Sequence, residues 1–179
     1  MKKAFRYFLS LFIIVVLLGL VPSVQAEEET LSVMAPWEGQ GRVFQIGPEK
    51  LKFLGSFEGI MYIQDAKGTL DAAAFICPAV QEIDARSEKT TATGNCIITT
   101  EKGDLVFSEW ELAGIIGTSQ GKFTITGGTG ALKGITGSGD MYIRTALGAT
   151  AVDLESGAVL EAAAGMALWP ELKVKLPAQ

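Results

Sequence analysis

Histidine is absent from all 179 residues of the chain. This absence excludes Ser-His-Asp and Cys-His nucleophilic catalysis, the usual zinc sites and a haem held by histidine. Any catalysis would have to use carboxylates, tyrosine, lysine, arginine or cysteine. The sequence also has no metal-ligand spacing, so we expect neither a metal site nor a cofactor.

Cysteine is scarce, with only Cys77 and Cys96, and no C-x-x-C motif is present. A redox-active pair more typically has that spacing, so its absence argues against redox chemistry. Strand-like runs flank a polar segment between the two cysteines. A hairpin centred between Arg86 and Ser87 would place them opposite each other, although registers shifted by one or two residues fit equally well. In an exported chain, a disulfide is favoured over two free thiols.

Basic residues are outnumbered, 15 against 20 acidic residues. Two lysines and Arg6 precede a continuous apolar run, Phe8–Leu20, and small residues follow as far as Ala26. This pattern predicts a signal peptide over residues 1–26, cleaved between Ala26 and Glu27. An uncleaved anchor is the alternative, but the run is short of the ~20 residues that span a bilayer. We expect an exported protein, periplasmic or secreted, without stable membrane insertion after cleavage.

The remaining residues, 27–179, are long enough for one domain with its own core. They hold 12 basic and 20 acidic residues, a net charge of −8. Such an excess repels phosphate backbones, and no basic cluster interleaved with aromatic residues offsets it. Nucleic acid is therefore not an expected partner.

The sequence also has no pattern typical of a long amphipathic helix. It has instead short runs in which apolar and polar residues alternate, separated by turns. Phe57, Met61 and Ile63 lie on one face of the run 55–64, and Glu58 and Tyr62 lie on the other. The segments DAKG (65–68) and EKGD (101–104) are typical of hairpin turns. The pattern predicts an all-β antiparallel sandwich or barrel. Several strands are apolar on both faces, which favours a homo-oligomer.

The glycine-rich segment TGGTGALKG (126–134) invites comparison with a phosphate-binding loop. Gly128 and Gly130 match the first two glycines of a dinucleotide fingerprint, but Lys133 occupies the third position and Gly134 comes one residue late. The glycines that follow would break the helix that this fingerprint requires, at about 1 kcal/mol each relative to alanine. The segment is therefore interpreted as a structural turn.

The same segment resembles a motif of the allene oxide cyclase and dirigent barrel superfamily, over Gly121–Arg144. In that motif a strand is followed by GGTG, an aliphatic residue, a further glycine and a return strand. The matching turn residues are Gly127, Gly128, Gly130, Leu132 and Gly134. The resemblance, which is strongest to bacterial exported members, implies a single antiparallel barrel of about eight strands. It also implies an apolar cavity for a lipid-like or phenolic molecule, and a trimer as in plant members.

No catalytic residue follows from this resemblance, so candidates come from polar groups inside apolar strands. Paired carboxylates in an apolar cavity have raised pKa values and can perform acid–base chemistry. Glu109 and Glu111 would lie about 7 Å apart on one strand face. A catalytic role requires at least two candidates to converge in one cavity, and the alternative is that all of them face solvent. The candidates are Glu58, Tyr62, Glu109, Glu111, Tyr142 and Arg144.

The sequence thus favours an exported small barrel that binds a hydrophobic or amphipathic small molecule without catalysis. Two alternatives stay open. One is a cyclase or isomerase that uses the carboxylates and tyrosines above. The other is a structural, oligomeric envelope protein, a dimer or trimer, whose apolar outer faces form the subunit contacts.

Overall fold

The structure is a computed structural model that describes residues 28–146, 151–153 and 159–177. The predicted signal peptide and its cleavage site between Ala26 and Glu27 lie outside the described residues. Nine strands and a single 3-10 turn, Gly130–Leu132, make up almost all of the described chain. The strands are β1 (Glu28–Gly47), β2 (Lys50–Gln64), β3 (Leu70–Asp84), β4 (Lys89–Thr100), β5 (Leu105–Ile115), β6 (Thr118–Gly128), β7 (Thr136–Thr145), β8 (Ala151–Asp153) and β9 (Val159–Lys175).

The sheet closes on itself. Each of β1 to β6 pairs antiparallel with the next strand, β7 pairs with β9, and β9 pairs with β1. The short strand β8 pairs only with the beginning of β9. Eight strands therefore form a closed antiparallel barrel, and the predicted fold class is confirmed. Closure removes the sheet edges that would otherwise pair with other chains.

Local turn chemistry explains why the chain reverses where the sequence predicted. In the β2–β3 turn, the Asp65 carboxylate accepts hydrogen bonds from the backbone N–H groups of Lys67 and Thr69. In the β4–β5 turn, the Gly103 N–H donates to the Thr100 carbonyl. Both hairpins are confirmed, and they lie at the same end of the barrel.

The alanine-rich run Glu161–Gly165 forms part of β9, whereas its composition alone would favour a helical turn. Backbone pairing on both sides accounts for the difference. Ala163 pairs with Gly39 of β1, and Gly165 pairs with both Trp37 of β1 and Thr145 of β7. Such pairing overrides the weak strand preference of alanine and glycine.

Inward-facing glycines leave space for large aromatic rings. A Cβ atom added to Gly165 would lie 2.7 Å from Cε2 of Trp37, the residue opposite it in the register. Gly94 and Trp110 repeat this arrangement across β4 and β5, again with 2.7 Å to Cε2. Real Cβ atoms essentially never approach so closely, so each ring occupies the place of the missing side chain. The glycines of the strands thus permit both barrel curvature and aromatic packing.

The two cysteines form a disulfide, as predicted, with their Cα atoms 4.1 Å apart. The β3–β4 register pairs Ile76 with Ile97 and Ala79 with Gly94, so it is centred between residues 86 and 87. The ladder is interrupted at Cys77 and Pro78, where proline cannot donate a backbone hydrogen bond. The disulfide links β3 and β4 at this interruption.

Side chains fill only one half of the barrel. Near the β2–β3, β4–β5 and β6–β7 turns, buried apolar residues from most strands meet, and Ile135 of the β6–β7 connection is 5% exposed among them. We call this half the closed end. It is filled by Val33, Ala73, Ile98, Val106, Ile125, Ile135, Leu172 and Val174.

Candidate functional site

A cavity of about 540 Å³ occupies the other half of the barrel. Its walls come from inward-facing positions on all eight barrel strands and from the β5–β6 turn. The lining is dominated by apolar and aromatic side chains. They include Trp37, Phe53, Phe57, Met61, Phe75, the Cys77–Cys96 disulfide, Trp110, Leu112, Phe123, Met141, Ile143 and Trp169.

The cavity reaches the surface near the β1–β2, β3–β4 and β5–β6 turns, an end that we call the mouth. Two residues that line it there, Gln45 and Ile116, are themselves exposed to solvent. Leu51, Ile83 and Gly117 complete this part of the lining. A small molecule could therefore enter from this end, whereas the closed end is filled with side chains.

Aromatic rings of the cavity lining pack against one another. Trp37 packs edge-to-face on Phe57 with ring centroids 5.1 Å apart, and Trp169 packs similarly on Phe123 at 5.2 Å. Such pairs add about 0.5–1.5 kcal/mol beyond the area that they bury. All three tryptophans of the chain line the cavity, and none of their indole N–H groups has a partner among the described residues. The tryptophans are therefore held by ring packing, and their fluorescence should report what occupies the cavity.

Apart from the three indole N–H groups, the uncharged polar groups of the lining lie in its mouth half. They are two side-chain amides and two hydroxyls, from Gln45, Gln81, Ser119 and Thr145. The Gln81 amide nitrogen donates to the hydroxyl of Thr90 at 2.7 Å. That hydroxyl donates in turn to the Glu82 carbonyl at 3.0 Å. The chain of hydrogen bonds fixes the Gln81 side chain in the cavity wall.

No charged side chain lines the cavity in the part of the chain that the structure describes. The charges nearest the mouth lie on the outer face, where opposite signs face each other across the strands. Lys52 forms an ion pair with Glu82 at 2.8 Å, and this hydrogen bond and charge lower the pKa of Glu82. Asp84 lies opposite both Lys50 and Lys89 in the register. The charged groups near the mouth therefore lie outside an apolar opening.

The six candidate catalytic residues all lie outside the cavity. Glu58, Tyr62, Glu109, Glu111 and Arg144 are exposed on the outer face, and Tyr142 is half-buried and outside the lining. The two faces predicted for the run 55–64 are correct, because Phe57 and Met61 point inward as expected. None of the six lines the apolar cavity in the part of the chain that the structure describes.

Two of the six share a shallow groove on the outer surface. Glu109 and Glu111 line it together with Lys122, which lies opposite Glu111 in the β5–β6 register. Lys122 forms its ion pair with Asp140, at 2.6 Å, and the pKa of Lys122 is raised by this hydrogen bond and charge. Arg144 donates to the carbonyl of its neighbour Ile143 at 2.9 Å. These are solvated polar contacts of a sheet surface.

The glycine motif lies at the closed end, remote from the mouth. Several of its backbone N–H groups donate within the fold: Thr129 donates to the Leu105 carbonyl, and Ala131 donates to the carboxylate of Asp104. Gly130 (φ 54°) and Gly134 (φ 91°) have backbone conformations that favour glycine. The segment forms a turn that ends in the buried Ile135.

Four turn glycines were singled out from the sequence, and their surroundings differ. A Cβ at Gly128 would lie 2.7 Å from the Leu132 carbonyl oxygen, so a side chain there would displace backbone. A Cβ at Gly127 would meet no atom within 4 Å. Space therefore requires glycine at position 128 but not at position 127.

Sequence reasoning missed the cavity-lining amide of Gln81. Its inward position could have been predicted from the sequence. Residues two apart on a strand share a face, so Cys77, Ala79 and Gln81 point the same way. Gln81 was not among the candidate residues. Trp37 belongs both to the core and to the cavity wall.

The described residues contain neither a membrane-spanning helix nor a cluster of metal ligands. No helix there is long and apolar enough to cross a membrane. No group of three or more His, Cys, Asp or Glu residues is placed to hold a metal ion in residues 28–146, 151–153 and 159–177.

Comparison of the chain with models of protein families, with curated proteins and with solved structures gave no match. The barrel architecture alone does not identify a superfamily. The resemblance of the glycine turn to the allene oxide cyclase and dirigent proteins therefore stays a prediction.

Proposed function

We propose that this protein binds a hydrophobic or amphipathic small molecule inside the barrel, without catalysis. The observation that carries the proposal is the apolar cavity of about 540 Å³ in a barrel whose other half is filled with side chains. Small-molecule sites are typically concave, mostly apolar and about 300–1,000 Å³ in volume, with a few polar groups. The cavity has each of these properties.

The chemistry of the lining supports binding over catalysis. A general acid or base needs a titratable group at the reacting atoms. The cysteines in the wall are joined in a disulfide, and the polar lining groups are amides and hydroxyls. The candidate carboxylates and tyrosines lie on the other side of the sheet.

Export and superfamily membership belong to the same proposal. The disulfide supports an oxidising location, periplasmic or secreted, because such bonds are rare in reducing compartments. An eight-stranded barrel with the glycine turn between β6 and β7 is the architecture that a relative of the allene oxide cyclase and dirigent proteins would have.

Native mass spectrometry of the protein purified from its own host tests the proposal. We expect a fraction of the molecules to carry an extra mass that organic extraction removes. A homogeneous, unliganded mass, together with no saturable uptake of an apolar fluorescent probe, would count against the cavity as a binding site.

A homo-oligomer, dimer or trimer, is the second candidate, and a different surface supports it. Ile76 pairs with Ile97, and Ile97 pairs with Phe107, all on the outer face, with Ile60 nearby on β2. These four residues, the outer apolar patch, are each 38–45% exposed. Contiguous exposed apolar surface typically marks an interaction site. Association of copies through the outer apolar patch would fit a structural envelope role and is compatible with ligand binding inside.

A further inference from the structure

We infer that the ligand of the cavity is an uncharged molecule with an apolar body and a hydrogen-bonding head group of the alcohol type, held at the mouth by Gln81. This inference rests on the proposed binding function and narrows the class of ligand. It follows from the charges around the cavity and from the hydrogen bonds of one amide.

The first argument is the absence of a counter-charge. The described lining contains neither a lysine or arginine to pair with an acidic head group nor a carboxylate to pair with an amine. A buried ion without a partner is strongly disfavoured relative to water. Among the positive side chains near the mouth, Lys52 is paired with Glu82, and Lys50 lies opposite Asp84. An anionic head group at the mouth would have to compete with these carboxylates.

The second argument is the orientation of the Gln81 amide. The Thr90 hydroxyl has one hydrogen, which it donates to the Glu82 carbonyl, so it can only accept from Gln81. Gln81 must therefore present its NH₂ group to Thr90, which fixes the otherwise ambiguous amide. One N–H and the carbonyl oxygen Oε1 remain, and neither has a hydrogen-bond partner among the described residues.

These two free groups favour one kind of head group over others. A hydroxyl both donates and accepts, so an alcohol can satisfy Oε1 and the free N–H, whereas a carboxylate has no hydrogen for Oε1. An ester can use only the N–H. The expected order of affinity is therefore alcohol, then ester, then carboxylate.

The test is displacement of N-phenyl-1-naphthylamine, an uncharged fluorescent probe, by three molecules of equal chain length at about pH 8. The molecules are 1-dodecanol, methyl dodecanoate and dodecanoate. We expect dodecanol to displace the probe at concentrations at least about tenfold lower than dodecanoate, a difference of about 1.4 kcal/mol. If dodecanoate competes as well as dodecanol, the ligand class is wrong and the binding function stands. If the probe itself does not bind, the binding function fails.

Substitution of Gln81 provides a second test of the inference. Gln81→Arg places a cation in the wall, and we expect it to improve dodecanoate about tenfold and so to remove most of the preference for dodecanol. Gln120→Arg is the matched control, because it adds the same charge on the exposed outer face of β6. Equal gains in the two variants would mean that net charge, and not the head-group position, sets the selectivity. That result would overturn the role of Gln81.

Discussion

The indole ring of Trp110 lies over Gly94, its cross-strand partner, in the space that a side chain would otherwise fill. The same relationship joins Trp37 to Gly165 on the opposite wall. Small inward residues therefore determine where the rings lie, and the rings determine the shape of the cavity. Gly94 and Gly165 thus influence the shape of the cavity by leaving room for the tryptophan rings.

Gly94→Ala should destabilise the protein by about 1–3 kcal/mol, because the new methyl group overlaps the Trp110 ring. Gly127→Ala is the matched control, since a Cβ there meets no atom within 4 Å. We expect the control to lie within about 0.5 kcal/mol of the parent protein. Urea unfolding followed by circular dichroism measures both, and equal stabilities for the two variants would contradict the packing account.

Removal of the disulfide in the double variant Cys77→Ala, Cys96→Ala should lower the free energy of unfolding by about 3 kcal/mol. The estimate follows from the closed loop, whose ends are 19 residues apart in sequence. The parent protein should lose a similar amount when a reductant is added during urea unfolding, whereas the variant should not respond to it. A reductant effect on the variant would show that the stability change has another origin.

Stability should fall on the acid side, and the turn residue Asp84 should contribute. Its carboxylate accepts N–H bonds from Ser87 and Arg86, and the Ser87 bond is the main cause of its lowered pKa. The unfolded chain therefore takes up its proton first, near 3.8. The contribution is complete well above that pH and is lost as the pH falls through the lower, folded-state value.

Asp84→Asn tests this contribution, since asparagine keeps an acceptor oxygen but no charge. We expect the variant to be less stable than the parent near neutral pH and the difference to shrink below about pH 4. Glu101→Gln controls for the loss of one negative charge at an exposed turn. A stability gap that persists unchanged to acid pH would contradict the role assigned to the carboxylate.

An oligomer built through the outer apolar patch should dissociate when the patch is charged. Ile97→Lys places a cation between Ile76 and Phe107, its cross-strand neighbours. Light scattering at micromolar concentration should give a dimer or trimer for the parent and a monomer for the variant. Thr93→Lys, on the same strand outside the patch, serves as the control. A monomeric parent protein would contradict the proposed oligomer.

Much of the fold follows from alternation and turn chemistry. The inward positions of Phe57 and Met61 were predicted because residues of one parity on a strand share a face. The disulfide register was predicted only as one of several choices, because a turn can shift by a residue without changing its composition. The register centred at residues 86 and 87 is the one that forms, with the Asp84 side chain accepting hydrogen bonds from the turn.

The family resemblance implied an apolar cavity, but the strand pattern could not predict which inward residues line it. Ala163 and Val33 are both small, inward and apolar, yet one lines the cavity and the other fills the closed end. The difference depends on residues brought from distant parts of the chain, above all Ile135 after the glycine turn. Alternation assigns a face to each residue but says nothing of how completely the faces of eight strands fill the space between them.

The central claim is that an apolar molecule occupies the mouth half of the barrel, and a titration with N-phenyl-1-naphthylamine tests it most directly. Ala92 lines the cavity, whereas Ala113 is exposed on the outer face of the next strand. We expect saturable probe fluorescence and a concurrent change in tryptophan emission for the parent and for Ala113→Trp. Ala92→Trp should bind at least about tenfold more weakly. Undiminished binding by a folded Ala92→Trp variant, or no saturable binding by the parent, would contradict the claim.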